Sequence, residues 1–461
     1  MTIADKTKVL LRQAWSALEG EPTMLDLVEV AGDGAGLLPS TLAVMPAMTA
    51  AISASTLAAS VLDAARRSAA PMPIVVDCEH VAVASRSERY ARSGASTEAS
   101  PFAPLSRFWQ TADGWLRLHA NYPWHRERAL HVLQSDERPE AVEEAVRRWR
   151  GEDLEEALAA AGALGYAVRS RNQWLEHPQG RTVAALPLLQ SESTTGPSRI
   201  TAAGRGAVGL RVLDLTRVIA GPVATRTLAA WGAEVLRIDS PNLPEIPAQA
   251  VDTLPGKHSA ELDLTEPMGR SRLEELLLAA DLVVQGYRPG ALARYGLDQN
   301  DLAQRHPHLS TVTLSAWGPS GPWAGRRGFD SLVQCPTGIA LAEGIDGRPG
   351  VLPAQALDHA TGYLAAAAGL LALAGVQRGE APRSVRLSLA QTAHWLFNGG
   401  DTTPDTPREI NSDDFQITLP GAATPVHVIS PPGRTADLVP HWTFTTDLGA
   451  DAPSFTFTNV E

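Results

Sequence analysis

Lysine is almost missing from this chain: it occurs at positions 6, 8 and 257, and every other side-chain cation except histidine is arginine. The formal charge is −12, and no basic block interrupts it. Nucleic-acid binding without sequence preference relies on many cationic phosphate contacts, so no nucleic-acid partner is expected. Any anionic ligand must meet arginine or lysine placed locally. Cysteine is also scarce. Cys78 and Cys335 lie far apart without CxxC spacing, which argues against a disulfide framework and a zinc site, so no metal is expected. A reducing cytoplasm fits that usage. The opening residues MTIADKTKVLLRQAW carry acids and early polar residues where a secretion signal has an apolar core, so no signal peptide is expected. The most apolar run, YLAAAAGLLALAG (363–375), is shorter than the roughly 20 residues of a membrane span. It reads as a buried helix, with no membrane partner.

At 461 residues, with 44% hydrophobic and 20% charged residues, the chain has the size of several packed units and an ordinary globular composition. Residues 205–400 alternate strand and helix signals. RVLDLT (211–216), EVLRID (234–239), SAELDL, DLVVQGY and LSTVTLSAWG (309–318) read as strands. GPVATRTLAAWGA (221–233) and GRSRLEELLLAA read as helices between them. This rhythm predicts an α/β, doubly wound, mainly parallel sheet in a Rossmann-like large domain. Residues 101–190 differ, with a hairpin strand in TADGWLRLHA and a helix over AVEEAVRRWRGEDLEEALAAAGALG, and suggest a smaller α+β domain. QSESTTGPSRITAAGRG, rich in Ser, Thr, Gly and Pro, reads as a linker over 191–206.

Residues 38–77 echo residues 352–389. Both begin with Leu-Pro, enter an alanine-rich helix ending in arginine and finish in a Val-rich strand. A duplicated unit would explain this, as would two similar alanine-rich helix–strand pairs. The expected units are therefore 1–100, a degenerate half-copy of the large domain; 101–190, the small domain; 191–206, the linker; 207–400, the large domain; and 401–461, a C-terminal extension. In the echo, Asp358 falls opposite Val44 or one of its close neighbours, and positions 42–48 contain no acid.

Five ordered blocks carry a resemblance. They are VLDLTRVIAGPVATRTLAAWGAEVLRID (212–239), GKHSAELDL (256–264), ADLVVQGYRPGALARYGL (280–297), HPHLSTVTLSAWGPSGPWAGRRGFDSLVQ (306–334) and LPAQALDHATG (352–362). In these blocks the chain resembles the class III CoA-transferase family, which includes formyl-CoA and carnitine CoA-transferases and α-methylacyl-CoA racemase. FWQTADGWLRLHA (108–120) and VRSRNQWLEHPQ (168–179) resemble its small domain, which here precedes the large one. The resemblance implies an acyl-CoA:carboxylate CoA-transferase whose substrates are a CoA thioester and a free carboxylic acid. It implies no tightly bound cofactor, and a homodimer.

Carried onto these positions, the resemblance makes Asp358 the nucleophile that attacks the thioester, giving a mixed anhydride and then an aspartyl-CoA thioester. An Asp before a helix also serves as an N-cap, and both readings stand. Backbone N–H groups at the helix start would hold its charge. Gly362 would let the chain approach the thioester or would serve helix packing. His359 reads as structural. The loop containing Val218, Ile219 and Ala220 would lie along the pantetheine, or be an ordinary strand-to-helix turn. Formyl-CoA transferase carries a glutamine where Ile219 stands. Arg237, Lys257, Arg288 and Arg294 would meet the phosphates of CoA, Lys257 on the adenine side, and Tyr287 would pack on the nucleotide. Surface charge and core packing are the plain alternatives. Racemisation requires a histidine before the acid of RRGFDSLVQ, and Phe329 stands there. A catalytically weak CoA-binding protein is the other alternative. The glycine loop that shields the anhydride has one candidate, Asn398-Gly399-Gly400.

Overall fold

The computed structural model describes residues 1–94, 102–201, 203–421 and 424–455. The boundary expected at 100/101 lies outside the described residues. The main sheet has seven strands, numbered in chain order: β1 (Leu189–Ser193), β2 (Arg211–Leu215), β3 (Glu234–Asp239), β4 (Lys257–Glu261), β5 (Leu282–Gln285), β6 (Ser310–Ser315) and β7 (Arg383–Ser388). Their spatial order is β4-β3-β2-β5-β6-β7-β1, parallel throughout except for β1 against β7. The strands β2 and β5 are buried over nearly all their length, their Val and Leu side chains covered on both faces of the sheet. The chain reverses its winding between β2 and β5, and ligands of such sheets bind beyond the carboxyl ends of strands at that switch.

The expected α/β architecture is present, with two differences in detail. β1 runs on into what reads as linker: residues 191–193 pair with β7, where Ser191 faces Val385. The single helix expected after residue 140 is two, Pro139–Val146 and Gly151–Ala160. Asp113 Oδ1 accepts the Gly151 N–H at 2.8 Å, so an acid from the hairpin turn starts the second helix afresh.

The helices Val44–Arg67 and Ala356–Gln377 pack along each other more extensively than any other pair. By length and composition each is able to cross a membrane, and nearly all of each is buried within the protein. The apolar run 363–375 is thus only part of a 22-residue helix. Both helices lead into a short strand and a further helix. Ile74–Asp77 leads to Cys78–Ala84, capped by Asp77, and β7 leads to Leu389–Asn398, capped by Ser388.

Beyond those helices the two halves exchange contacts. Arg89 Nη2 donates to Pro353 O just before one long helix, and Thr402 Oγ1 donates to Ser40 O just before the other. The C-terminal residues also return to the N-terminal unit. Val426–Ile429 pairs with Arg92–Ser93, and Arg434–Thr435 pairs with Ile74–Asp77. The small domain's sheet is Phe108–Gln110, Trp115–Leu118 and Gly165–Ala167.

Candidate active site

Asp358 does not cap its helix. The helix begins at Ala356 behind Gln355, which makes no side-chain cap, so Asp358 is in the first turn. Its side chain is 6% exposed. The free N–H groups of that turn are also not directed at Asp358's own carboxylate. The Asp358 N–H donates to Asp330 Oδ2 at 2.9 Å, and the Leu357 N–H interacts with the same carboxylate. Asp330 opens the short helix Asp330–Val333 and is wholly buried. Its other oxygen accepts from Gln334 Nε2 at 2.5 Å, and Gln334 in turn accepts the Leu352 N–H.

Three carboxyl groups therefore converge here. Burial pushes Asp330 up to about 6 despite its hydrogen bonds. Burial, with Asp330 and then Glu88 as like charges, holds Asp358 well above the usual carboxylate range. Glu88 comes from the N-terminal unit and meets His359, whose Nε2 lies 3.0 Å from Glu88 Oε2. Burial would raise Glu88, but the His359 contact prevails and its carboxyl is lowered. The structural reading of His359 thus gains a partner. Its ring is fully buried, and its Nδ1 has no hydrogen-bond partner.

Gly362 faces protein. A Cβ there would be 2.6 Å from Ala220 O and 2.8 Å from Val223 Cβ, so its missing side chain lets two helices touch and leaves no approach for a thioester. Gly399 and Gly400 meet the start of the other long helix. A Cβ on Gly399 would be 2.6 Å from Ala43 Cβ, and both glycines line a cavity of about 550 Å³ with Ser40, Leu42 and Met45. At the start of Asp358's helix, Glu88 and Arg89 occupy the corresponding place.

The loop after β2 sits at the switch point. Val218 has φ +71°, a left-handed conformation that is costly for a β-branched residue, by about 1–3 kcal/mol. Glu245 holds it there by accepting the Val218 N–H at 3.2 Å, while Arg217 donates to Leu243 O and Pro244 O. Ile219 is buried, and Ala220 starts the following helix.

Two of the expected phosphate-binding cations are corrected by the structure. Lys257 is 0% exposed; its Nζ donates to Asp214 Oδ2 (3.0 Å), Thr225 Oγ1 (2.6 Å) and Pro222 O (3.1 Å). All three protons are engaged inside the sheet, and burial lowers its pKa to about 8. Arg237 is equally buried and binds Asp239 and Glu245. Burial opposes the charge of Glu245, yet Arg217 and Arg237 hold it down to about 2. Buried carboxylates engage both cations within the protein. Arg288 and Arg294 are exposed beyond β5, Arg294 lying over Tyr295. Tyr287 packs half-buried against the core under that loop, and burial pushes its hydroxyl up to about 12.

Glu88 and Glu245 are the site's unforeseen acids, and Asp330 was visible only as the neighbour of Phe329. Among the described residues no cluster of metal-binding side chains occurs.

Residues 208–412 match the model of CoA-transferase family III. An acyl-CoA transferase of Gibberella moniliformis is 31% identical over 286 residues, 56% of this chain and 50% of that protein. A probable fatty acyl-CoA transferase of Mycobacterium tuberculosis is 34% identical over 199 residues, 40% of this chain and 50% of that protein. A crystal structure of the latter aligns at 32% identity with a TM-score of 0.40, covering 42% of this chain and 56% of that one. The chain spans about half the length of these relatives. Over residues 208–412, somewhat less than half of its length, the chain resembles CoA-transferase family III.

Proposed function

We propose that this protein transfers CoA between carboxylic acids with Asp358 as the nucleophile. The observation that carries the reading is Asp358 itself: a buried carboxyl inside the matched segment, raised by burial and by two neighbouring acids. A carboxylate so raised is more basic, and a better nucleophile when ionised. Its oxygen attacks the thioester carbonyl and expels CoA thiolate, leaving a mixed anhydride. The thiolate then attacks the aspartyl carbonyl and releases the donor acid, leaving an aspartyl-CoA thioester. The acceptor carboxylate reverses both steps and restores Asp358. Acyl-CoA and a free carboxylic acid are the substrates, with no resident cofactor required.

We also read residues 1–100 as a half-copy that lost its own nucleophile. The repeated helix–strand–helix order and the exchanged contacts support this. A cytoplasmic homodimer completes the proposal; the two free, buried cysteines support the compartment, and light scattering tests the dimer. Incubation with acyl-CoA followed by hydroxylamine tests the chemistry, since an acylated Asp358 becomes a hydroxamate detectable in its peptide. CoA binding without that adduct would favour a second reading, a CoA-binding protein. The burial and neighbouring acids that raise Asp358 and disfavour its charged form are the observation behind that alternative.

A further inference from the structure

The small domain turns an unusual face to the large one. In the strand Trp115–Leu118, Leu116 and Leu118 point into the small domain's own core. Alternation places Arg117, and His119 beyond it, on the opposite face. Tyr166 lies beside Arg117 on the adjacent strand, and its hydroxyl donates to Arg327 O at 2.6 Å. That face therefore looks at the segment holding Phe329 and Asp330. The His119 ring stacks on Phe329 at 4.1 Å, and the His125 ring lies 6.4 Å from it.

Among the described residues Arg117 makes no ion pair, and its buried Nε has no hydrogen-bond partner, although the residue is only 5% exposed. Its guanidinium rests between Phe102 and Phe108, 5.0 and 4.9 Å from their rings. Other buried arginines here are paired: Arg169 with Glu155, Arg226 with Asp252, Arg237 with Asp239. Asp330 is close enough to favour the charge of Arg117, but hydrogen bonds from Asp358 and Gln334 already engage both its oxygens. The Nδ1 atoms of His119 and His125 are buried and unpartnered too. Burial lowers these histidines to about 3 and about 4, so at neutral pH both are uncharged and each keeps one N–H. A buried unpaired guanidinium beside two unpartnered imidazoles lacks one thing, an anion with planar acceptor oxygens.

We propose that Arg117, His119 and His125 form the wall that binds a carboxylate of the acid substrate, Arg117 taking both oxygens. This rests on the CoA-transfer reading for the identity of the ligand. Two carboxylates have the right chemistry: the reacting one of any acid, and the second one of a dicarboxylic acid.

Calorimetric titration of the full chain, without any thioester, tests it with succinate, propionate and neutral succinamide as probes. Succinate is expected to bind and succinamide not to. Arg117→Met should weaken succinate by about tenfold or more, with Arg117→Lys recovering part of the loss and CoA affinity unchanged. His119→Phe keeps a ring on Phe329 and removes the nitrogens, so it tests the wall in a fold-conserving variant, with an expected loss of several-fold. Equal loss for propionate and succinate would assign the reacting carboxylate, and loss for succinate alone the distal one. Absence of carboxylate binding by the wild type, or unchanged binding by both Arg117→Met and His119→Phe, overturns the proposal. Carboxylate binding through Arg117 without acylation of Asp358 would sink the transferase reading and leave the wall standing.

Discussion

The backbone N–H of Asp358 donates to the carboxylate of Asp330 at 2.9 Å. The helix start that would stabilise a charged Asp358 is thereby directed at a different acid, and the two carboxyls are set against each other. Burial and like charge favour the protonated form of Asp358.

Asp358→Asn is expected to lower turnover by about a thousandfold or more while leaving the protein at least as stable. At pH values where Asp358 is ionised, an uncharged amide removes one of three converging charges, a gain of about 1 kcal/mol. Steady-state kinetics beside a melting curve checks both, and a large fall in melting temperature would contradict the electrostatic account.

Asp330→Asn removes the first-ranking like charge on Asp358, so the acid limb of the pH–rate profile should move to lower pH. It should also change stability. Asp330 has a folded pKa near 6 against 3.8 in the unfolded chain, so its favourable contribution is complete below 3.8 and lost as pH rises through about 6. Denaturation between pH 4 and 7 should show that loss in the wild type and a flatter course in the variant.

Glu88→Gln should have the opposite signature. The folded carboxyl is lowered, so its contribution exists above its unfolded value of 4.5 and disappears as pH falls through the folded value. The wild type should exceed the variant by about 1–3 kcal/mol at pH 7, and the gap should close in acid. Urea titrations at a series of pH values measure it.

Lys257→Met strands Asp214 in the sheet without its cation. A loss of about 3–5 kcal/mol is expected, the cost of breaking a buried pair from one side. Calorimetry with CoA on whatever folds should find its affinity little changed, where a true phosphate contact would show the reverse pattern.

Gly362→Val forces a branched side chain against Ala220 O and Val223. Overpacking of this kind costs about 1–3 kcal/mol, read as a lower denaturation midpoint.

Much of the large domain is legible in sequence. The strands β2, β3 and β5 are short runs rich in Val, Leu and Ile bounded by turns, and β-branched residues between helical segments admit few arrangements other than a doubly wound sheet. Asp358 is legible because an acid in a small apolar run has few reasons to be there. The charged residues mislead for one reason: composition identifies a cation and is silent on which carboxylate meets it. Lys257 and Arg237 look like ligand contacts until Asp214, Asp239 and Glu245 are placed around them.

By itself the sequence indicates the doubly wound architecture of the large domain and singles out Asp358 as the candidate acid, because periodicity and local motifs are short-range properties of the chain. Only the tertiary structure decides the company that acid keeps. Glu88 meets His359 across 271 residues, and Arg117 comes to face Phe329 and Asp330 from another domain. Charge interactions act through space, so a pKa and a binding wall depend on distances the order of residues does not contain.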